Sequence, residues 1–215
     1  MNLDSENLTL KPLSFDELDT NYINWLNDAD TCKYNSHGDA VYTRKMAEEF
    51  IENIQKSKNC EVWAVYLKSH NHHIGNISLQ NIDLKNRQAE IAYLFGEKQY
   101  WGRGYATEAS KILIKRAFED LKLHRLYFGT HIDNIAMQKV GEKLGFQKEG
   151  LLKDAQYKNG KYNDIVRYGL IQQERERLIC QLYKFLNIVK TQAYYFKHIS
   201  KNCCQDFIWQ QFLCT

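Results

Sequence analysis

Near the middle of the chain, an apolar run is followed by a turn with two glycines and then by a helical pattern. The run Ile91-Ala92-Tyr93-Leu94-Phe95 predicts a strand, Gly102 and Gly104 lie in the turn, and apolar residues recur at helical spacing over 105–121. Glycine has no Cβ, so the backbone can turn sharply and approach a ligand closely. The first turn of a helix leaves N–H groups unpaired and carries roughly half a positive charge. The pattern therefore predicts either a phosphate-sized anion site or an ordinary strand-to-helix loop.

The rest of the chain combines several strands with widely spaced helices. Ser14 and Glu17 form a predicted capping box for a helix beginning near Phe15, and Thr43 is the predicted cap of a second helix. Further helices are predicted over 105–121 and 135–144. Apolar or alternating segments predict strands over 8–10, 61–67, 74–82, 89–95, 126–131, 146–153 and 162–170. Strands dominate and helices are inserted between them, which predicts an α+β fold.

Composition excludes several classes of protein. The chain has 215 residues, of which 44% are apolar and 26% charged, as in an ordinary globular domain. A net charge of +3 is too small to indicate nucleic acid binding, and no apolar run is long enough to span a bilayer. The first residues lack the pattern of a signal peptide, and the six cysteines show no Cys-x-x-Cys spacing. We therefore expect reduced thiols, a cytoplasmic location, and no nucleic acid or membrane partner.

Residues 172–215 differ from the rest of the chain. A charged, helix-forming run over 172–177 is followed by apolar residues at helical spacing. This pattern predicts one domain over 1–171 and a C-terminal helical extension over 172–215. The extension could dock on the domain, could pack against a second copy of the chain in a homodimer, or could be a frayed segment without a role.

Three histidines are close together after the second predicted strand. His70, His72 and His73 suggest a metal site, but no further carboxylate or cysteine ligands are adjacent in sequence. The alternative is a solvated hairpin turn. We expect the turn, and therefore no metal.

Three segments, in the same order, are similar to one known family. Gln99, Gly102 and Gly104 meet the signature Gln/Arg-x-x-Gly-x-Gly/Ala of the acetyl-CoA-binding segment in the GNAT acyltransferase superfamily. Asn134 followed by the run 142–146 is the second segment, and 154–170 is the third. Residues 8–171 thus resemble the branch that contains the ribosomal-protein N-terminal acetyltransferases and related amino-sugar and small-molecule N-acetyltransferases. The resemblance implies a mixed, mostly antiparallel sheet flanked by helices, with a splayed pair of parallel strands.

The resemblance also implies which residues bind the cofactor, acetyl-CoA, which is the acyl donor. Backbone groups of Leu94, Phe95 and Gly96 would bond the pantetheine arm where the parallel strands separate. Asn134 would contact the pantetheine side, although its alternative role is to cap the next helix. Gln99 belongs to the signature, and backbone N–H groups of the turn would hold the pyrophosphate; these belong to Trp101, Gly102, Arg103, Gly104, Tyr105 and Ala106.

The catalytic groups are harder to assign from the resemblance. Glu90 is the candidate base, because some family members place a catalytic glutamate on this strand; an exposed carboxylate or a substrate anchor is the alternative. The tyrosine or serine that often protonates the leaving thiolate is absent, since those positions are Gly141 and Met137. Either Tyr157 or His131 serves instead, or the thiolate departs with the help of water.

The function implied is an acetyl-CoA-dependent N-acetyltransferase that transfers the acetyl group directly to a primary amine. In this family acceptor choice depends on the loop after the first helix and on the final strand pair, here 30–42 and 157–164. The loop is polar, with Asn35, Ser36 and His37, and lacks a run of acidic residues that would fit a polyamine. An amino sugar or a protein or peptide N-terminus is therefore the expected acceptor. An acyl-CoA-binding regulatory module with little activity is the alternative function.

Overall fold

One mixed sheet of eight strands organises residues 2–173, the part of the chain that the computed structural model describes. The strand order is β1-β2-β3-β4-β5-β6-β8-β7. In chain order the strands are β1 Leu3–Asp4, β2 Leu8–Pro12, β3 Glu61–Leu67, β4 His72–Asp83, β5 Gln88–Phe95, β6 Arg125–His131, β7 Gln147–Lys158 and β8 Lys161–Ile171. All neighbouring strands are antiparallel except β5 and β6, which run parallel.

Helices cover both faces of this sheet. The α-helices are α1 Tyr22–Leu26, α2 Arg44–Lys56, α3 Tyr105–Lys115 and α4 Ile135–Lys143. Two 3-10 segments, Phe15–Asp19 and Lys98–Tyr100, and a π-helical turn, Arg116–Asp120, complete the regular structure. The predicted mixed, mostly antiparallel sheet with flanking helices is therefore confirmed.

Strand β3 shows why the sheet is buried on both faces. Successive strand residues point to opposite faces, and here both sets are apolar. Trp63, Val65 and Leu67 pack in the core beneath α3, whereas Val62, Ala64 and Tyr66 pack in a second core beneath α1 and α2. The continuous apolar run of β3 therefore joins two cores.

Strands β5 and β6 separate after a short paired stretch. Their register joins Gln88 to Arg125, Ala89 to Leu126 and Glu90 to Tyr127, and no pairing continues beyond Glu90. Over 91–95, β5 pairs with β4 alone, while the rest of β6 pairs with β8 alone. The facing edges of the two strands thus open into a V whose closed end is at Glu90 and Tyr127. The predicted splayed parallel pair is confirmed.

The first predicted helix is divided into two pieces. The Ser14–Glu17 capping box forms as predicted, and the 3-10 turn that follows it ends at Thr20, which has an extended backbone. The Thr20 hydroxyl donates to the Glu17 carbonyl at 2.7 Å and closes that turn, so α1 begins only at Tyr22. Across the two pieces, Leu18, Tyr22, Trp25 and Leu26 are all buried.

The predicted histidine turn is wrong for two of its three members. Strand β4 begins at His72, so only His70 lies in the turn. His73 is 3% exposed, and burial lowers its pKa. Its ring contacts the Thr20 hydroxyl, the Gly75 carbonyl and the Asn76 side chain, at 2.9 to 3.0 Å. His73 is therefore part of the packing between the sheet and α1. The predicted extension over 172–215 lies outside the described residues, apart from its first two positions.

Candidate active site

The glycine turn presents unpaired N–H groups to open space. Gly102 and Gly104 have φ values of +73° and +87°, which favour glycine over residues with a Cβ. Within residues 2–173, none of the N–H groups over 102–107 has a hydrogen-bond acceptor; the first bond of α3 runs from the Glu108 N–H to the Gly104 carbonyl at 3.0 Å. A Cβ built on either glycine would have no atom within 4 Å. The turn can thus admit an anion against its backbone.

Trp101 differs from its neighbours in the turn. Its backbone N–H donates to the Lys98 carbonyl at 3.1 Å, so this group is already engaged. Its indole Nε1 donates to the Phe95 carbonyl at 2.8 Å. The indole therefore ties the turn to the end of β5, and the run of free N–H groups begins at Gly102.

A cleft beside the turn carries two cations that the sequence analysis missed. The cleft has a volume of about 320 Å³, and Glu6, Gly104, Thr107, Lys111 and Lys143 are among its lining residues. Glu108 also lines the cleft, but Ser5 and Asn7 donate hydrogen bonds to its carboxylate at 2.7 and 2.9 Å. Burial opposes ionisation of Glu108, yet these hydrogen bonds outweigh it and lower its pKa. The lysines add positive charge next to the free N–H groups.

Packing of the Trp25 ring leaves no room for a side chain at Gly96. A Cβ built there would lie 1.9 Å from the Trp25 ring, so the indole occupies that space. The Trp25 Nε1 donates to the Glu97 carboxylate at 3.0 Å, and the Asn21 amide donates to the same oxygen at 2.8 Å. Burial opposes ionisation of Glu97, but hydrogen bonds from Asn21, Trp25 and His72 prevail and lower its pKa. The Gln99 amide is also within 3.5 Å of this carboxylate. These contacts fix the end of β5 against α1.

Asn134 lies at the start of α4. Its side-chain oxygen accepts from the Met137 N–H at 3.2 Å, which makes it the N-cap of the helix. Its amide NH₂ has no acceptor within residues 2–173, so two donors are available to a ligand. Leu94 belongs to the segment of β5 that faces the opening, and its side chain packs against the second core. The positions of Asn134 and Leu94 are compatible with the contacts to a pantetheine arm that the resemblance implies.

Glu90 occupies the closed end of the V and has three neighbours that the sequence analysis missed. Asn81 lies at a bulge between β4 and β5, with a φ of +51°, and donates to the Glu90 carboxylate at 3.1 Å. Arg167, from β8, approaches the carboxylate to 3.9 Å. The Arg167 guanidinium also lies 5.0 Å from the centre of the Tyr127 ring. Only the cross-strand register, which the sequence does not display, reveals this cluster.

Packing around position 141 explains why the tyrosine that often serves as the acid is absent there. A Cβ on Gly141 would lie 2.5 Å from the Phe128 ring. That ring is held by stacking on Tyr168 at 5.0 Å and by an edge contact with Phe146 at 5.1 Å. A tyrosine at position 141 would therefore displace the core. Met137 is partly buried against the same core.

His131 and Tyr157, the two alternative acids, lie in different settings. The His131 Nδ1 accepts from the Asp133 N–H at 3.0 Å, so the neutral ring carries its proton on Nε2. His131 packs against Tyr34, with 5.2 Å between ring centroids, and lies about 13 Å along β6 from Tyr127. Tyr157 is 63% exposed and packs on Tyr162 at the tip of the last hairpin. Of the two, His131 is on a strand that borders the V.

The two segments expected to choose the acceptor lie together. The buried amine of Lys158, at the end of β7, donates to the His37 carbonyl and lies 3.6 Å from the Asp39 carboxylate. Asp30, in this loop, and Asp28, just before it, are also paired, because Lys98 lies 2.9 Å from Asp28 and 2.6 Å from Asp30. The hydrogen bond from Lys98 is the main cause that lowers the pKa of Asp28 to about 2. The loop thus offers amides, a hydroxyl and rings, and its carboxylates lie beside lysines.

Two absences hold for the described part of the chain. Among residues 2–173, no three His, Cys, Asp or Glu side chains come together in a way that could hold a metal ion. In the same range, no helix has the length and apolar character needed to cross a membrane.

The V-shaped opening, the free N–H groups after β5 and the fold define an acyltransferase of the GNAT type. Residues 7–147 match the family described as "Acetyltransferase (GNAT) domain". The chain therefore belongs to the GNAT family and is an N-acetyltransferase by class.

Several known proteins are similar to this chain. The "Putative ribosomal N-acetyltransferase YdaF" of Bacillus subtilis is 41% identical over 102 residues, which cover 47% of this chain and 55% of that protein. The "Uncharacterized N-acetyltransferase p20" of Bacillus licheniformis is 30% identical over 173 residues, covering 79% of this chain and 96% of that protein. The solved structure of spermidine N-acetyltransferase from Vibrio cholerae in complex with CoA and spermine shares the fold, with a TM-score of 0.73 at 23% identity over 80% of this chain and 99% of that one.

Proposed function

We propose that this protein transfers an acetyl group from acetyl-CoA directly to a primary amine, with an amino sugar or a protein or peptide N-terminus as acceptor. The observation that carries the proposal is the V between β5 and β6, which closes at Glu90 and opens toward the free N–H groups over 102–106. An extended pantetheine arm fits such an opening, and its pyrophosphate would meet those N–H groups and the nearby lysines.

In the proposed reaction, the amine nitrogen attacks the thioester carbonyl carbon. The C–N bond forms and the C–S bond breaks, so that CoA leaves as a thiolate and takes up a proton. Holding the two reactants together supplies much of the acceleration. An amine is mostly protonated at neutral pH, so one proton must be removed before attack; we assign this to Glu90, directly or through water.

The acceptor must enter past the loop 30–42 and the final hairpin. Because Asp30 and Asp39 of the loop, and Asp28 just before it, are paired with lysines, we expect them to be poorly suited to bind a polyamine. The polar groups that remain suit a hydroxylated or peptidic amine. The relatives named as ribosomal and spermidine acetyltransferases are compatible with amine acceptors in general.

A regulatory module that binds acyl-CoA without rapid catalysis is the second candidate. It is favoured by Gly141 and Met137, which leave the leaving thiolate without the usual proton donor.

Two measurements on the full chain test these functions. Thermal unfolding with saturating acetyl-CoA tests their shared premise, and an unchanged midpoint would reject both. Mass spectrometry of an amine panel incubated with acetyl-CoA then separates them. We expect acetylated amines and an equal amount of free CoA thiol; a protein that is stabilised by acetyl-CoA but acetylates no amine would be the regulatory module.

A further inference from the structure

Arg167 crosses the sheet to reach the closed end of the V. It belongs to β8 and is paired in register with Gly129 of β6. A Cβ on Gly129 would lie 3.5 Å from the Arg167 Cδ, which places the arginine side chain directly above this glycine. The guanidinium then rests over Tyr127 and near Glu90, at the point where the attacking amine is expected.

The hydrogen-bonding capacity of this guanidinium is unused. Arg116 and Arg125 each donate hydrogen bonds from two guanidinium nitrogens to one carboxylate, that of Glu61 and that of Glu149 respectively. Arg167, in contrast, donates no hydrogen bond to any residue within 2–173, and its one close ion pair is the 3.9 Å approach to Glu90. Its side chain is 40% exposed. A planar fork of N–H donors is therefore accessible beside Glu90, at the closed end of the V.

We propose that Arg167 is a specificity-determining residue that selects acceptors with an anionic group, a carboxylate or a phosphate, close to the reacting amine. The proposal rests on the acetyltransferase function proposed above. Glu90 and Arg167 present opposite charges 3.9 Å apart, and an acceptor with an amine and an anion complements both. Arginine binds carboxylate and phosphate oxygens in a fork geometry, which fixes the orientation of the acceptor.

The same arrangement disfavours acceptors that carry only positive charge. A polyamine would bring a second cation toward Arg167, and the carboxylates of the acceptor loop are already paired with Lys98 and Lys158. Like charges at short range repel, so the second amine of a polyamine gains no partner here.

Matched acceptors that differ only in charge test the proposal. One pair is glucosamine and glucosamine 6-phosphate; the other is a peptide beginning Ser-Gln and one beginning Ser-Glu. For the wild-type chain we expect kcat/KM to be at least about tenfold higher for the anionic member of one pair, as a charged hydrogen bond would give. The pair that shows the preference identifies phosphate or carboxylate as the recognised group.

Variants then connect the preference to Arg167. Arg167→Gln should reduce the ratio within that pair to about one, and Arg167→Lys should retain part of the preference. Arg87→Gln removes the same charge from an exposed turn before β5 and should leave the ratio unchanged. If Arg167→Gln fails to fold, the wild-type ratios and Arg167→Lys still decide.

Equal rates within both wild-type pairs, or a preference that survives Arg167→Gln, would overturn this inference while leaving the acetyltransferase function intact. Absence of acetylation with every acceptor would reject the proposed function, and this inference with it.

Discussion

Glu90 is held in place by groups from two neighbouring strands. Asn81 donates to one carboxylate oxygen at 3.1 Å, and Arg167 lies 3.9 Å from the other. Its side chain is 27% exposed, so a substrate can still reach it. This combination of orientation and access is what a general base requires.

Glu90→Gln tests the assignment of this base. The amide keeps the shape of the side chain but cannot accept the proton, so we expect kcat to fall by about 100-fold or more while the Kd for acetyl-CoA stays the same. Steady-state kinetics and calorimetry measure the two quantities. Glu49→Gln, which changes an exposed carboxylate on α2, is the control. Unchanged turnover in Glu90→Gln would remove Glu90 as the base.

Gly96→Ala tests the packing of Trp25 at the other end of β5. The added methyl would collide with the Trp25 ring, which is 3% exposed. We expect the free energy of unfolding to fall by about 3 kcal/mol or more, since overpacking a tight core is costly. Gly150→Ala is the matched control, because its Cβ would meet no atom within 4 Å. Equal urea midpoints for the two variants would contradict this account.

Among the elements, the turn between β5 and α3 combines two features that suit the proposed binding of the cofactor's pyrophosphate. Backbone N–H groups over 102–107 provide direction, and the lysines lining the adjacent cleft provide charge. The lysines act through a field that salt screens, whereas the backbone donors act at contact distance. Removing a lysine should therefore weaken binding mainly at low ionic strength.

Lys111→Gln tests this contribution. Lys111 is on α3 and lines the cleft with Gly104 and Lys143. We expect the Kd for CoA to rise about threefold at low salt, and the difference to shrink as salt is added. Lys115→Gln, one turn further along the same helix and paired with Glu119, is the control. Calorimetric titrations at two salt concentrations make the comparison, and equal effects of the two substitutions would refute a specific role for Lys111.

At the scale of the whole molecule, two carboxylates join segments that are distant in sequence. Glu97 links the end of β5 to α1 through Asn21 and Trp25. Glu108 links α3 to the N-terminal strands through Ser5 and Asn7. Both carboxyls have pKa values below their ordinary value of 4.5, because the hydrogen bonds they accept favour the charged form.

This lowering determines how stability depends on pH. A carboxyl whose pKa is lower in the folded state stabilises the fold above its unfolded pKa, and the benefit is lost as pH falls through the folded pKa. We expect the free energy of unfolding to decrease as pH drops below 4.5. The double variant Glu97→Gln/Glu108→Gln should be less stable at neutral pH and should show a shallower loss in acid. Urea unfolding between acidic and neutral pH measures both, with Glu119→Gln as the exposed control; an unchanged slope would argue against this linkage.

Local patterns in the sequence were sufficient to predict the elements and part of the site. The Ser14–Glu17 box, the glycines at 102 and 104 and the alternation of the strands act within a few residues, where caps and side-chain period control the backbone. These patterns placed the strand, turn and helix that surround the proposed anion site. The mixed, mostly antiparallel sheet and its splayed pair followed from the family resemblance, and the sequence patterns alone did not contain them.

Tertiary structure decided which side chains meet at the closed end of the V. Glu90, Asn81 and Arg167 belong to different strands or bulges, and only the register of β4, β5, β6 and β8 brings them together. The burial of the His73 ring and the contact of Trp25 with Gly96 also depend on packing between elements that are distant in sequence. By itself the sequence determined where the backbone turns and where helices begin. Contacts between residues distant in sequence could be assigned only from the folded sheet. The physical reason is that such contacts depend on strand register and packing, which leave no pattern in the local sequence.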